Sequence, residues 1–447
     1  MLPSRSIESP RGSACYACPL TFRDGCPQPS VRTEPGRLLA FRFMSELLAV
    51  VLPRSAAAAE IVRAWEAGRA VLPLDPAAPA PELRAVLDAL RPTHLVDRDG
   101  VEALPGGEPV EDGVAAVVAT SGTTGRPKGV ELTAAGIEAS SRAVSAALGT
   151  GPGDRWLACV GLHSVAGLAI VARAWHGGLP LEVHERFDVD AVAAAAAAGA
   201  TLVSVVPTML ARLLDAGAGL ERFRQVLLGG APAPAGLVER AADLGASVVR
   251  TYGLTETFGG VAHDGHPLEG VELAIAGGGE ITLRGPMLLR RYRRDPAATR
   301  KALRGGWLHT ADLGRVRPDG RLEVLGRRDD LVITGGVSVH PAEVEAVLVR
   351  HPGVADVAVG SAPDPEWGQR LVAYVVPLDR LLPPTLADLR GFAQERLAAA
   401  KAPRELVLVD GLPRTASGKL LRRRLPSVTP AGTWPAEASG DAVAEGR

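Results

Sequence analysis

Residues Gly113–Gly129 read GVAAVVATSGTTGRPKG. The run opens as an apolar, β-branched strand. It then passes into four hydroxyl residues, three glycines and a lysine. Flexible backbone amides, hydroxyl donors and the lysine cation together suit a polyphosphate. The plain alternative is a polar turn between a strand and a helix. The common nucleotide loop, G-x-x-x-x-G-K-[ST], is excluded by spacing, because Pro127 stands five residues after Gly122 and Val130 five after Gly125.

Outward from this run the same grammar repeats. Apolar runs stand at 155–161 (RWLACVG), 201–206 (TLVSVV), 224–230 (RQVLLGG) and 247–253 (SVVRTYG). Helical patterns such as AGLAIVARAWHG and AGLVERAADLG lie between them. This alternation predicts an α/β fold, a mostly parallel sheet covered by helices, with ligands beyond the carboxyl ends of the strands. The hydroxyl-rich loop and YGLTETFGG (252–260) are both expected past such ends. From VELAIAGGGEITLRG onward strands follow strands, with Pro318-Asp319-Gly320 as a hairpin turn. A small α+β segment closes the chain, with a helix opened by Pro341.

The 447 residues are 47% hydrophobic and 22% charged, an ordinary globular balance with length for a large core. A net charge of -1 gives no basic field for nucleic acid or anionic lipid. No apolar run approaches the roughly 18 residues of a membrane span. Three of the four cysteines, Cys15, Cys18 and Cys26, crowd the N-terminus. They lack an evident fourth zinc ligand, and a disulfide framework is not expected, which fits a reducing cytoplasm. Residues 1–43 lack periodicity and are expected to be a disordered or spurious extension, and 427–447 a disordered tail.

Five segments, in order, resemble the adenylate-forming acyl-CoA synthetase superfamily. They are TSGTTGRPKG (120–129), TYGLTET (251–257), GWLHTADLG (306–314), LGRRDDLVITGGVSVHPAEVE (325–345) and PRTASGKLLR (413–422). The resemblance implies a large N-terminal domain (44–326) that carries a β-rich subdomain, a hinge (327–330) and a small mobile lid (331–426). It also implies a two-step reaction. A carboxylate attacks the α-phosphate of ATP, pyrophosphate leaves, and a thiol then displaces AMP.

Placed on this sequence, the resemblance implies that Thr120, Ser121, Gly122, Thr123, Thr124, Gly125 and Lys128 hold the β- and γ-phosphates. Tyr252 would stack on adenine, Gly230 would lie along the nucleotide, and Thr255 would donate to the α-phosphate. Glu256 would hold Mg²⁺, a hard cation that favours carboxylate oxygen. Asp312 would accept the ribose hydroxyls with Arg327 beside it. Asp329 would be the hinge residue. Lys419 would face carboxylate and α-phosphate oxygens during adenylation. Gly335 and Gly336 would line the pantetheine path of CoA.

The acid is harder to read. His163, Ser164, Gly229 and Gly259 are the candidate pocket residues. Relatives carry an aromatic followed by His where this chain has His163-Ser164. For His163, a satisfied polar contact and a gating role both remain open. The segments LPLEVHERFD and HDGHPLEGVELAIAGGGEI most resemble the branch that ligates o-succinylbenzoate to CoA for menaquinone synthesis. A CoA ligase for another aromatic or short-chain acid, or an enzyme loading a carrier-protein thiol, is the alternative. A homodimer is one open expectation, and the substrates are small molecules: ATP, a carboxylic acid and CoA.

Overall fold

The computed structural model describes residues 46–121, 127–233, 236–334, 337–414 and 420–426. The expectations for 1–43 and 427–447 lie outside them. The fold is mixed α/β, in two compact units: residues 1–204 with 289–295, and residues 205–288 with 296–447.

In the first unit the strand Leu47–Val50 is at most 1% exposed and is paired in parallel on both sides, with Ala70–Pro73 and His94–Asp97. Parallel neighbours need a crossover, and helices Arg54–Glu66 and Ala80–Leu90 supply it. Continuous apolar sequence is what a strand buried on both faces requires. Ala70–Pro73 pairs in turn with Val114–Ser121. That strand turns back antiparallel into Pro127–Thr133, which pairs with Arg291–Arg293. The hydroxyl-rich loop therefore joins strand to strand, where the sequence pattern suggested strand to helix. The helix comes one strand later, at Ala134–Leu148, capped by Thr133 Oγ1, which accepts from the Gly136 amide at 3.0 Å.

The same unit holds strands Trp156–Ala158 and Leu181–Val183, paired in parallel, with helices Val165–Gly177 and Val189–Ala197, and the start of strand Leu202–Val205, also parallel to Trp156–Ala158. The second unit opens with parallel strands Gln225–Leu228 and Val248–Leu254. Tyr252 lies inside the latter strand, paired with Ala262 of the antiparallel Gly259–His263, and not past its end as expected. Gly253 is required there, since a Cβ would stand 1.9 Å from the Gly259 carbonyl oxygen.

A five-stranded antiparallel sheet follows, including Glu280–Arg284, Trp307–Val316 and Leu322–Arg327. The hairpin at Pro318-Asp319-Gly320 forms as read, with Gly320 at φ +82°. The last sheet centres on Val354–Asp364 and Gly368–Pro377, backed by helices Pro341–Leu348 and Leu386–Gln394. Its core of Val332, Val344, Leu348, Val359, Leu371 and Leu389 is drawn entirely from residues after the expected hinge.

Candidate active site

Within the first unit, residues Val114–Val118 are nearly solvent-free and fix the strand that ends at Ser121. Thr120 pairs in register with Lys128, and its hydroxyl donates to the Lys128 carbonyl at 3.4 Å. Lys128 Nζ stands 5.5 Å from the Tyr292 ring. The return strand is anchored by Glu131, fully buried and paired to Arg291 at 2.7 Å and Arg293 at 3.1 Å. Gly122, Thr123, Thr124 and Gly125 lie outside the described residues, as does the side chain of Ser121.

The loop between Ala158 and helix Val165–Gly177 carries two of the four candidate acid-pocket residues, His163 and Ser164, in different surroundings. Ser164 is the helix N-cap: its hydroxyl donates to the Gly161 carbonyl at 2.7 Å and accepts from the Gly167 amide at 3.3 Å. His163 is 34% exposed and directs Nδ1 to Asp75 Oδ2 at 3.9 Å. Burial holds its pKa below the usual 6.5, against the pull of Asp75, so the ring is neutral at pH 7. Deeper on the helix, Arg173 is buried with its guanidinium 5.6 Å from the Trp156 ring. Burial lowers its pKa to about 10, which leaves it cationic, and its Nε has no hydrogen-bond partner among the described residues. The Cys159 thiol is pushed up to about 12 by burial and is inert at neutral pH.

Within the second unit three expected residues meet. The Tyr252 hydroxyl donates to Asp312 Oδ2 at 2.8 Å, and Arg327 Nη1 reaches Asp312 Oδ1 at 3.1 Å. Burial and the Asp312 charge both raise the Tyr252 pKa, so the phenol keeps its proton and donates. Asp312 is itself buried, and its amide donates to Thr310 Oγ1 at 3.0 Å. Thr255 and Glu256 lie on a single 3₁₀ turn, Thr255–Thr257, directly after the Tyr252 strand. Thr257 Oγ1 staples that turn, accepting from the Leu254 amide at 3.0 Å and donating to the Gly259 carbonyl at 2.7 Å. Gly229 and Gly230 follow the Gln225–Leu228 strand, and a Cβ at Gly229 would meet Thr251 Cγ2 at 2.7 Å.

One carboxylate was missed from sequence. Glu280, 4% exposed, accepts from His309 Nδ1 at 2.9 Å, the Ala311 amide at 3.1 Å and Arg328 Nη2 at 3.0 Å. Burial alone would raise its pKa, but these donors outweigh burial and hold it below 4.5. Its only sequence signal is an acid at an inward position of a strand otherwise alternating Ile-Thr-Leu-Arg. Beyond it, Asp329 sits in the 3₁₀ turn Arg328–Asp330, its side chain outside the described set. Asp330 pairs with Arg422 at 3.3 Å. Lys419, Gly335 and Gly336 lie outside the described residues. The Lys419 loop is bracketed by a bridge between Arg414 and Leu420, with Arg414 held by Asp356 at 2.9 Å.

Residues 103–293 match the AMP-binding enzyme family, and residues 343–419 match its C-terminal domain. A probable 2-succinylbenzoate–CoA ligase of Mycobacterium tuberculosis is 42% identical over 360 residues, 77% of this chain and 93% of that protein. The chain belongs to the AMP-binding enzyme family. A 2-succinylbenzoate–CoA ligase of Geobacillus kaustophilus is 41% identical to this AMP-binding enzyme over 71% of its length and 70% of the relative's. The o-succinylbenzoate CoA synthetase of Bacillus subtilis, solved with its acyl-adenylate intermediate, superposes with a TM-score of 0.78. It is 31% identical and spans 88% of this chain and 90% of that one. The same synthetase with ATP and a magnesium ion superposes at 0.76, spanning 86% and 90%. No helix among the described residues is long and apolar enough to cross a membrane.

For a divalent cation, the described residues hold no cluster of three or more Asp, Glu, His or Cys. A single carboxylate, Glu256, is nonetheless a sufficient protein ligand for Mg²⁺ that arrives on a triphosphate, because that ion keeps waters and phosphate oxygens as its other ligands. The described donor set fits a cation carried by substrate.

Proposed function

We propose that this AMP-binding enzyme is a cytoplasmic, ATP-dependent acid–CoA ligase whose acid is o-succinylbenzoate. The carrying observation is the Tyr252–Asp312–Arg327 cluster, in a chain that spans nearly the whole of a 2-succinylbenzoate–CoA ligase at 42% identity.

In the first step a carboxylate oxygen of the acid bonds to the α-phosphorus of ATP, and the bond to pyrophosphate breaks. Asp312 accepts from the ribose hydroxyls. Arg327 and the Tyr252 phenol hold its carboxylate in one orientation, so the nucleotide is placed before reaction. Thr255 donates to the α-phosphate, and Lys419 neutralises charge on the oxygens being joined. Glu256 would hold Mg²⁺, which supplies charge neutralisation on the phosphates. In the second step the CoA thiolate bonds to the acyl carbon and AMP leaves, with Gly335 and Gly336 along the thiol arm. Rotation of the lid about Asp329 exchanges the two arrangements.

The second carboxylate of o-succinylbenzoate calls for a cation. Ser164 is engaged as a helix cap and His163 is neutral, whereas Arg173 is a buried charge whose Nε lacks a partner among the described residues. Arg173 suits that role best. The test is turnover with ATP, Mg²⁺, CoA and a panel of acids, following AMP and acyl-CoA. The expected result is the highest kcat/KM for o-succinylbenzoate. Equal or better turnover of benzoates or fatty acids would replace the substrate, and acyl transfer only to a carrier-protein thiol would replace CoA.

A further inference from the structure

Glu280 stands between the turn that presents Asp312 and the linker at 327–330, and it uses a different oxygen for each. Oε1 accepts the Ala311 amide at 3.1 Å. Ala311 has φ +59°, a left-handed conformation that a residue with a Cβ keeps only when its surroundings impose it. The next residue is Asp312. Oε2 accepts from His309 at 2.9 Å and pairs with Arg328 at 3.0 Å, with Arg304 farther off at 3.7 Å.

Arg327 and Arg328 therefore grip the two halves of one turn. Arg327 takes the carboxylate of residue 312, and Arg328 takes the glutamate that fixes residue 311. Both arginine side chains are 45% exposed, whereas Glu280 is 6% exposed at its side chain. A buried carboxylate with several donors has a fixed position, and a half-exposed arginine is the partner that can leave it. Without Arg328, Glu280 still has His309 and Ala311, so release need not strand a bare charge.

We propose that Glu280 is a positioning residue that couples the ribose site to the linker: occupancy of Asp312 by a nucleotide biases whether Arg328 stays on Glu280, and so where the linker rests. This rests on reading Asp312 as the ribose ligand and 327–330 as the hinge. The step is one of conformation and ion pairing, with no bond made or broken. A purely structural ion pair would instead set overall stability and leave the two half-reactions in their original ratio.

The experiment uses the full chain, its Arg328→Met and Glu280→Gln variants, and AMP as the probe. Hydrogen exchange is followed over residues 325–334 with and without AMP. The wild type should change its exchange there when AMP binds. Arg328→Met should lose that response while binding AMP and melting as the wild type does, and Arg328→Lys should restore it. The ratio of pyrophosphate release to thioester formation from supplied acyl-adenylate should shift at least about five-fold in Arg328→Met, the low end of usual coupling strengths. If Glu280→Gln fails to fold, Arg328→Met carries the test alone. An AMP response that survives in Arg328→Met, with the half-reaction ratio unchanged, overturns the coupling. A wild type that binds AMP without any change at 325–334 overturns both the coupling and the hinge reading beneath it. The acid panel tests the ligase assignment separately.

Discussion

Lys419 and Arg173 are both single cations, and they should fail in different ways. Lys419→Ala should abolish adenylation yet spare thioester formation from acyl-adenylate supplied ready-made. On the proposed mechanism the lysine acts only while carboxylate and α-phosphate oxygens are being joined. Losing one pre-positioned charge contact should lower that step by about 10² to 10³. Single-turnover pyrophosphate release measures it. On the proposed reading Arg173→Met removes a charge that faces the second carboxylate and no reacting atom. It should raise KM for o-succinylbenzoate by about ten-fold or more, the size of one lost charge-assisted contact. KM for a monocarboxylic acid should barely change. A uniform rise for every acid would make Arg173 a packing residue against Trp156. At this scale the motifs made Tyr252, Asp312 and Arg327 legible, because each stands at a fixed offset in a recognisable segment. What they do to one another was not legible. The Tyr252–Asp312 hydrogen bond joins residues 60 apart, and no local pattern encodes it. Ser164 shows the converse: a hydroxyl just before an apolar helix is the usual cap signal, and the helix uses it so.

At the scale of elements, the proposed exchange between half-reactions turns on one short linker. Asp329 lies in the short 3₁₀ turn between strand Leu322–Arg327 and the last sheet. Asp329→Pro would fix φ there and hinder any rotation of the turn. That variant should keep acid-dependent pyrophosphate release in one turnover and lose CoA transfer, the reverse of Lys419→Ala. Rapid-quench assays of the two half-reactions distinguish them. If both variants fail in the same half-reaction, a two-pose mechanism does not operate here. Element types were mostly legible, since the hairpin at 318–320 and the helix at Pro341 follow from turn chemistry and proline at the first turn. The return strand Pro127–Thr133 was not. Its glycine at 129 lies against Leu90 and Val117, where a Cβ would come within 3 Å of both. That contact comes from sheet packing and cannot be seen in the loop's own composition.

At the scale of the molecule, Leu47–Val50 is the first described strand and lies inside its sheet, with neighbours on both sides. A chain starting at Met44 keeps that strand and should match the full chain in melting temperature and turnover, as calorimetry and the AMP assay would report. A large loss in either would give residues 1–43 a role that their aperiodic sequence does not suggest. Removing residues through Val50 should abolish folding, because it deletes a strand whose residues are at most 1% exposed. Sequence alone determined the α/β class, the run of strand after strand beyond residue 270, and the chemistry available at each motif, whereas antiparallel pairing already begins at Gly259–His263. These are short-range properties: hydrophobic period, turn residues, and the donors and charges a loop can offer. Tertiary structure alone decided which charges meet. Glu280 looks like any strand residue until the register of Glu280–Arg284 on Trp307–Val316 brings Ala311 and His309 to its carboxylate and the linker adds Arg328. Sheet register is set by burial of whole strand faces, so its consequences for individual ion pairs exist only once the strands have paired.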